Sequence, residues 1–325
     1  MQMGAETGSG LGMIGMTDFL FSFCRERKSE NGEDSFVYAL NEKCFLLGVF
    51  DGCGGSGAGQ YPALKGKTGA YLASRAVSAA YLDWFEERED GQEDFPPQEL
   101  KERILRYLKR CGAMGGEETG NRLPGARTKK LPTTAAAALC RPARGGVDVQ
   151  LQWAGDSRVY LLDSEGLAQL TKDDLGGLDA MQELAEDRPL ANAISLSRDF
   201  NIHSARLTMG RPGLLFAATD GCFGTLSTPM EFEYLLLSTL QSASSPQAWE
   251  ESLAESIGKT ANDDYTISGI ALNSGSFEDL KRLLAGRTKL VYRTYIRGLD
   301  TCSPEERVQL WEHYREHYER LLCCG

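Results

Sequence analysis

The sequence predicts an α+β fold in which antiparallel sheets are covered by pairs of helices. Strand-like and helix-like runs are segregated and do not alternate as βαβ units. Two short apolar runs, residues 35–40 and 44–50, flank Asn41-Glu42-Lys43 as in a hairpin. The 325 residues are 42% hydrophobic and 25% charged, an ordinary globular composition with ample material for a buried core. Disordered and collagen-like classes are excluded. The formal net charge of −11 repels phosphate backbones, so nucleic acid is not an expected partner. No apolar run approaches the ~20 residues of a membrane span. Residues 1–16 lack the basic patch and apolar stretch of a secretory signal, so neither membrane nor export is expected. Nine cysteines without a CxxC pair read as reduced thiols in a cytoplasmic protein.

Residues 1–16, rich in Gly and Met, read as a flexible tail. A strand follows at 18–24, then the hairpin, then a glycine-rich turn at 52–59. A long helix spans 67–87, with Leu72, Ala76, Val77, Ala80, Tyr81 and Trp84 on one face. Pro97 opens a second helix to residue 111, striped by Leu100, Ile104, Leu105 and Leu108. Residues 112–131 read as loop. Strands are expected at 133–140, 147–154, 158–162, 202–209 and 214–218, helices at 230–240 and 248–259, and a closing strand at 266–272. The final fifty residues read as three helices, 277–285, 290–297 and 303–322. The last opens with the capping box Ser303-Pro304-Glu305-Glu306 and carries Val308, Trp311, Tyr314, Tyr318 and Leu321 as its stripe. The chain therefore divides into a tail (1–16), a main domain (17–273) and a helical extension (274–325). The short connection Asn273-Ser274-Gly275 favours docking of that extension in cis.

Four acidic signals sit where strands begin or end: Glu33-Asp34, Asp51-Gly52, Asp220-Gly221 and Asn262-Asp263-Asp264. Carboxylates at the ends of apolar strands are costly to bury singly, and convergence on a hard cation resolves the cost. Acids without His or Cys select Mg²⁺ or Mn²⁺ over Zn²⁺. Two such ions sharing a carboxylate hold a hydroxide and clamp a phosphoryl oxygen. Each acid alone reads as a turn or cap residue.

Five ordered motifs carry a specific resemblance. They are Asn31-Gly32-Glu33-Asp34-Ser35, Gly48-Val49-Phe50-Asp51-Gly52-Cys53-Gly54-Gly55, Ala154-Gly155-Asp156-Ser157-Arg158, Ala218-Thr219-Asp220-Gly221 and Asp263-Asp264-Tyr265-Thr266. Together they resemble the metal-dependent serine/threonine protein phosphatases of type 2C, over roughly residues 17–272. The resemblance implies a four-layer α-β-β-α sandwich and hydrolysis of phosphoserine and phosphothreonine in proteins by a hydroxide held on two Mn²⁺ or Mg²⁺ ions. Carried over by position, Asp51 bridges both ions and Asp34 orders their waters, which makes these two the catalytic acids. Glu33 and the Gly52 carbonyl complete one shell, and Asp220 and Asp263 hold the other ion. Asp156 matches a third, weaker metal position; the competing reading is a capped turn beside a structural Arg158 ion pair. Thr133-Thr134, with Pro132 in place of the family's Gly, reads as sheet packing. Phosphoprotein substrates and a partner Ser/Thr kinase in signalling are implied.

Two departures matter. Cys53 stands where animal relatives carry a proton-donating histidine; it is either a proton donor or a small residue tolerated there. Ser29 stands where the family often has a phosphate-gripping arginine, leaving Arg25, Arg27 or Lys28 to reach the phosphate. Rival classes are weaker. Gly52 to Gly57 satisfies GxGxxG, but Pro62 intervenes before the helix a dinucleotide-binding enzyme needs. His313 to His317 fits HxxEH without a downstream carboxylate ligand, and reads as helix surface. A phosphatase fold reduced to a scaffold or regulatory binding module would be marked by loss of the metal acids, which are present.

Overall fold

The computed structural model describes residues 17–27, 29–87, 96–119, 130–176, 179–185 and 189–323. The expected tail, residues 1–16, lies outside them. Among the described residues two five-stranded antiparallel sheets form the centre. One runs in the order β1 (Thr17–Arg25), β12 (Tyr265–Leu272), β11 (Gly213–Ala218), β8 (Arg158–Asp163), β9 (Gly166–Gln169). The other runs β10 (His203–Met209), β7 (Gly146–Ala154), β6 (Ala135–Ala143), β3 (Phe45–Phe50), β2 (Ser35–Leu40). The β2–β3 hairpin expected from sequence is present, with Leu40 opposite Phe45.

Three apolar layers hold the sandwich together. Leu47, Val49, Leu151, Trp153, Leu215 and Ile270 fill the space between the sheets. Helices α1 (Gly69–Glu86) and α2 (Pro97–Gly115) cover the second sheet through Val77, Tyr81, Trp84, Ile104 and Leu108. Helices α4 (Pro229–Ser242) and α5 (Pro246–Gly258) cover the first, with Trp249 set against Phe21 at 4.7 Å between ring centroids. The central strands thus bury both faces, which explains the near-continuous apolar runs in β3, β8 and β11.

Several boundaries differ from the sequence reading. The first helix starts at Gly69, because Lys67-Thr68 (β5) pairs with Gln60-Tyr61 (β4) and the Thr68 hydroxyl caps the Tyr71 N–H at 3.1 Å. Helix α2 continues to Gly115, into the expected loop. Strand β9 and the six-residue α3 (Ala180–Ala185) were not anticipated; both are too short to show a period.

The C-terminal helices also differ. The expected break after residue 285 is absent: α6 runs Phe277–Val291 straight through Gly286. Gly in a helix costs about 1 kcal/mol against Ala, and contacts on either side outweigh it. Leu284 and Val291 are buried, and Arg287 forks onto Glu233 of α4 at 2.6 and 2.9 Å. Helix α7 (Pro304–Tyr318) begins with the expected capping box and donates the Tyr314 hydroxyl to the same Glu233 at 2.7 Å. Its buried stripe is Trp311, Tyr314 and Tyr318, whereas Val308 and Leu321 are exposed. Both helices share one apolar cluster with α4, α5 and the outer face of the first sheet. His313 and His317 sit on the exposed face of α7, as the surface reading of that pattern requires.

Ending the chain after Ser274 strips Arg287 and Tyr314 from Glu233 and uncovers Tyr160, which packs against Tyr318. The truncated protein should be insoluble or melt far below the full chain. A soluble product with an unchanged melting temperature would contradict the packing described.

Candidate active site

The topology gathers the acidic motifs at one end of each sheet. Asp51 leaves the end of β3 beside the start of β2, which Glu33-Asp34 precede. Asp156 follows β7, two strands from Asp51 across β6. In the other sheet Asp220 follows β11 beside the start of β12, which Asp263-Asp264 precede. The two groups face one another: the charges of Asp220, Asp34, Asp156 and Asp263 all act on Asp51.

Backbone and hydroxyl contacts fix these acids. The Asp51 carbonyl accepts the Thr133 hydroxyl at 2.6 Å and the Thr134 N–H at 2.8 Å, and the Asp51 N–H donates to the Thr134 hydroxyl at 3.2 Å. Thr134 also meets the Ser157 hydroxyl at 2.6 Å, joining the Asp51 and Asp156 turns. Thr133-Thr134 is buried in the sheet as expected, with Thr133 bridging Gly52 and Ile194, and its hydroxyls also tie the acidic turns together. Asp34 is 2% exposed, and its Oδ2 accepts the hydroxyls of Thr219 and Thr266, each at 2.8 Å. Glu33 takes the Thr68 hydroxyl from the start of α1. A Cβ on Gly52 would lie 2.6 Å from the Ala70 carbonyl oxygen and 2.7 Å from that of Glu33, so three backbone segments meet where only glycine fits.

The electrostatics follow from crowding. Burial first, then the neighbouring carboxylates Asp220 and Asp264, push Asp34 up to about 7. Burial and Asp173 do the same to Asp156, also to about 7. Burial, Asp156 and Asp263 raise Asp220 to about 7. Asp51 is pushed well above the ordinary carboxylate range by burial and by Asp220. Such a set favours protons or a cation. Among the described residues no three Asp, Glu, His or Cys side chains already enclose a point where an ion would sit. The donor chemistry nonetheless fits a hard divalent cation: the cluster is all oxygen, its members repel one another, and the Asp156 Oδ1 is buried without a hydrogen-bond partner.

The other site residues named from sequence fall as follows. Asp263 is exposed and its Oδ1 accepts the Asp264 N–H at 2.8 Å. Cys53 heads the turn at residues 53–57, its carbonyl accepting the Gly57 N–H at 2.9 Å. Arg27 is exposed, and its N–H donates to Asp264 Oδ1 at 2.6 Å; Lys28 lies outside the described residues. Arg25 is exposed with its guanidinium over the Phe23 ring. The structural reading of the Asp156 turn is present, since Arg158 forms a buried ion pair with Asp173 at 2.8 Å.

Two residues were missed. Asp264 clips the first motif to the last, taking the N–H groups of Arg27 and Glu33 at 2.6 Å each; its place beside Asp263 was the only signal. Asp174 takes the Gly155 N–H at 2.9 Å, Asn192 at 2.8 Å and His203 Nε2 at 2.9 Å. No sequence signal marks it.

A family model described as protein phosphatase 2C matches residues 24–258. None of the curated proteins matches the chain. Among solved structures the fold is similar to that of a bacterial serine phosphatase, with TM-score 0.57 and 16% identity over 78% of this chain and 97% of that one. It is similar to the serine/threonine phosphatase PstP/Ppp of Mycobacterium tuberculosis, with TM-score 0.54 and 19% identity over 78% and 98%. The catalytic domain of PstP in complex with two manganese ions has TM-score 0.51 and 16% identity over 79% and 99%. At these identities the likeness is one of fold.

Gly52→Ala tests the close approach. A side chain there must displace backbone, so stability should fall by about 1–3 kcal/mol or more, read by urea denaturation. Stability equal to wild type would show that the three segments do not meet as described.

Proposed function

The chain belongs to the protein phosphatase 2C family, and from that premise we propose that it is a divalent-metal-dependent hydrolase of phosphoserine and phosphothreonine in proteins. The observation that carries this reading is the mutual crowding of Asp34, Asp51, Asp156, Asp220 and Asp263 at one end of the sandwich. Asp51, Glu33 and the Gly52 carbonyl would hold one Mn²⁺ or Mg²⁺ ion, and Asp51, Asp220 and Asp263 a second; Asp156, with its orphaned oxygen, would serve a third, weaker ion. Bound there, the ions supply Lewis acidity toward the phosphoryl oxygens and an activated water.

The protein's own groups do the rest. Asp34, its Oδ2 tied by two threonine hydroxyls, orders the attacking water. Thr133 and Thr134 hold the Asp51 backbone and so fix the direction in which its carboxylate leaves β3. Arg27, anchored through its N–H by Asp264, is the described basic residue assigned to the substrate phosphate, with Lys28 beside it in sequence. Cys53 would either protonate the leaving alkoxide or leave that task to water. Retention of the metal acids favours turnover over a scaffold role. The eight free cysteines among the described residues support a reducing, cytoplasmic setting, and among those residues no helix is long and apolar enough to cross a membrane. Phosphoprotein substrates imply a Ser/Thr kinase acting before this enzyme.

The test is hydrolysis of a phosphothreonine peptide with and without Mn²⁺, for wild type and Asp51→Asn. Wild type should turn over only with the metal, and Asp51→Asn should lose nearly all activity. Full activity of Asp51→Asn at saturating Mn²⁺ would sink the shared-acid assignment.

A further inference from the structure

One buried guanidinium joins the acidic end of the sandwich to the appended helix α7. Arg158 is 2% exposed. Its Nε donates to Asp173, and its Nη2 donates to Asp173 at 2.8 Å and to Glu183 at 2.9 Å. Its Nη1 donates to the hydroxyls of Tyr160 and Tyr318, each at 3.3 Å. A guanidinium has five N–H groups, and these contacts account for all of them. The last acceptor, Tyr318, comes from α7, outside the span of the family match.

The same side chain reaches two acidic turns. Arg158 lies two residues beyond Asp156 on the chain. Its partner segment is bonded to that turn, the Asp174 N–H donating to the Gly155 carbonyl at 3.0 Å and the Gly155 N–H to Asp174 Oδ2 at 2.9 Å. The guanidinium also lies 4.3 Å over the Phe223 ring, and the Phe223 N–H donates to the Asp220 carbonyl at 3.0 Å. The C-terminal residues grip the partner segment independently. The Cys323 N–H donates to the Leu170 carbonyl at 2.8 Å, Cys323 bridges Thr171 in parallel, and Arg315 approaches Asp179 at 3.5 Å.

We propose that Tyr318 is a positioning residue: by completing the hydrogen bonds of Arg158 it fixes the Asp156 and Asp220 turns, so the C-terminal helix controls the acidic centre without touching substrate. The proposal rests on the reading that these two acids belong to a metal-dependent centre.

Tyr318→Phe in the full chain removes the hydroxyl and keeps the ring packed on Trp311 and Tyr314. Amide hydrogen exchange at residues 155–158 and 220–223 should rise. The Mn²⁺ concentration for half-maximal peptide hydrolysis should rise about tenfold, the worth of one hydrogen bond to a charged group, with KM for the peptide little changed. Tyr314→Phe is the comparison: it loses the bond to Glu233 and should lower the melting temperature while leaving exchange in both turns at the wild-type level. Wild-type exchange in Tyr318→Phe, or an equal rise in Tyr314→Phe, overturns the proposal. A protein that exchanges as expected but hydrolyses nothing would defeat the phosphatase reading and keep the positioning role. If Tyr318→Phe does not fold, exchange of the wild type in low urea decides. The two turns must open together with α7; turns that stay protected after α7 has opened overturn the proposal.

Discussion

Like charges confined together outside bulk water raise one another's proton affinity, and the end of this sandwich is organised around that repulsion. Asp34, Asp156 and Asp220 are each pushed up to about 7, with burial as the leading cause and neighbouring carboxylates behind it. The described hydrogen bonds to these carboxylates come from threonine hydroxyls and a backbone N–H, while Arg158 acts on Asp156 and Asp220 only through space. Neutral donors fix the direction of a carboxylate without cancelling its charge. The charge is thereby left available to a proton or a cation, and the rest of the architecture keeps the acids from drifting apart to escape one another.

That restraint is built from short-range ties between segments distant in sequence. Asp264 clips the stretch before β2 to the start of β12, Thr134 joins Asp51 to Ser157, and Gly52 lets three backbones meet. Cations enter at one remove. Arg158 and Arg287 are both buried: Arg158 is closed by Tyr318 of α7, and Arg287 forks onto Glu233, which also accepts Tyr314 of the same helix. Removing one partner from such a pair is costly, because the other is left charged and unpaired. The helical extension is consequently wired to the main domain by polar contacts as well as apolar area.

The parts legible in the sequence were the local ones. Strand β2 and the β2–β3 hairpin follow from two short apolar runs and a three-residue turn, and the acids stood out because each is adjacent to a strand end. The capping box at Ser303 is a four-residue pattern and was read correctly. What escaped notice depends on tertiary partners. The passage of α6 through Gly286 is decided by Arg287 and Glu233, 54 residues apart. The structural work of Thr133, Asp174 and Asp264 depends on which backbone groups the fold brings to them, and a sequence pattern carries no sign of that. The exposure of Val308 reflects the narrow footprint of α7, which buries one residue per turn or so where the stripe suggested more.

The central claim is that the acids exist to hold divalent ions. Titration calorimetry of the wild-type protein with Mn²⁺ at pH 7, repeated in buffers of different protonation enthalpy, addresses it directly. Carboxyls raised to about 7 are partly protonated there, so binding must displace protons. The account predicts two ions bound per chain, a weaker third, and protons released to the buffer on binding. Absence of binding, or binding with no proton release, would contradict it.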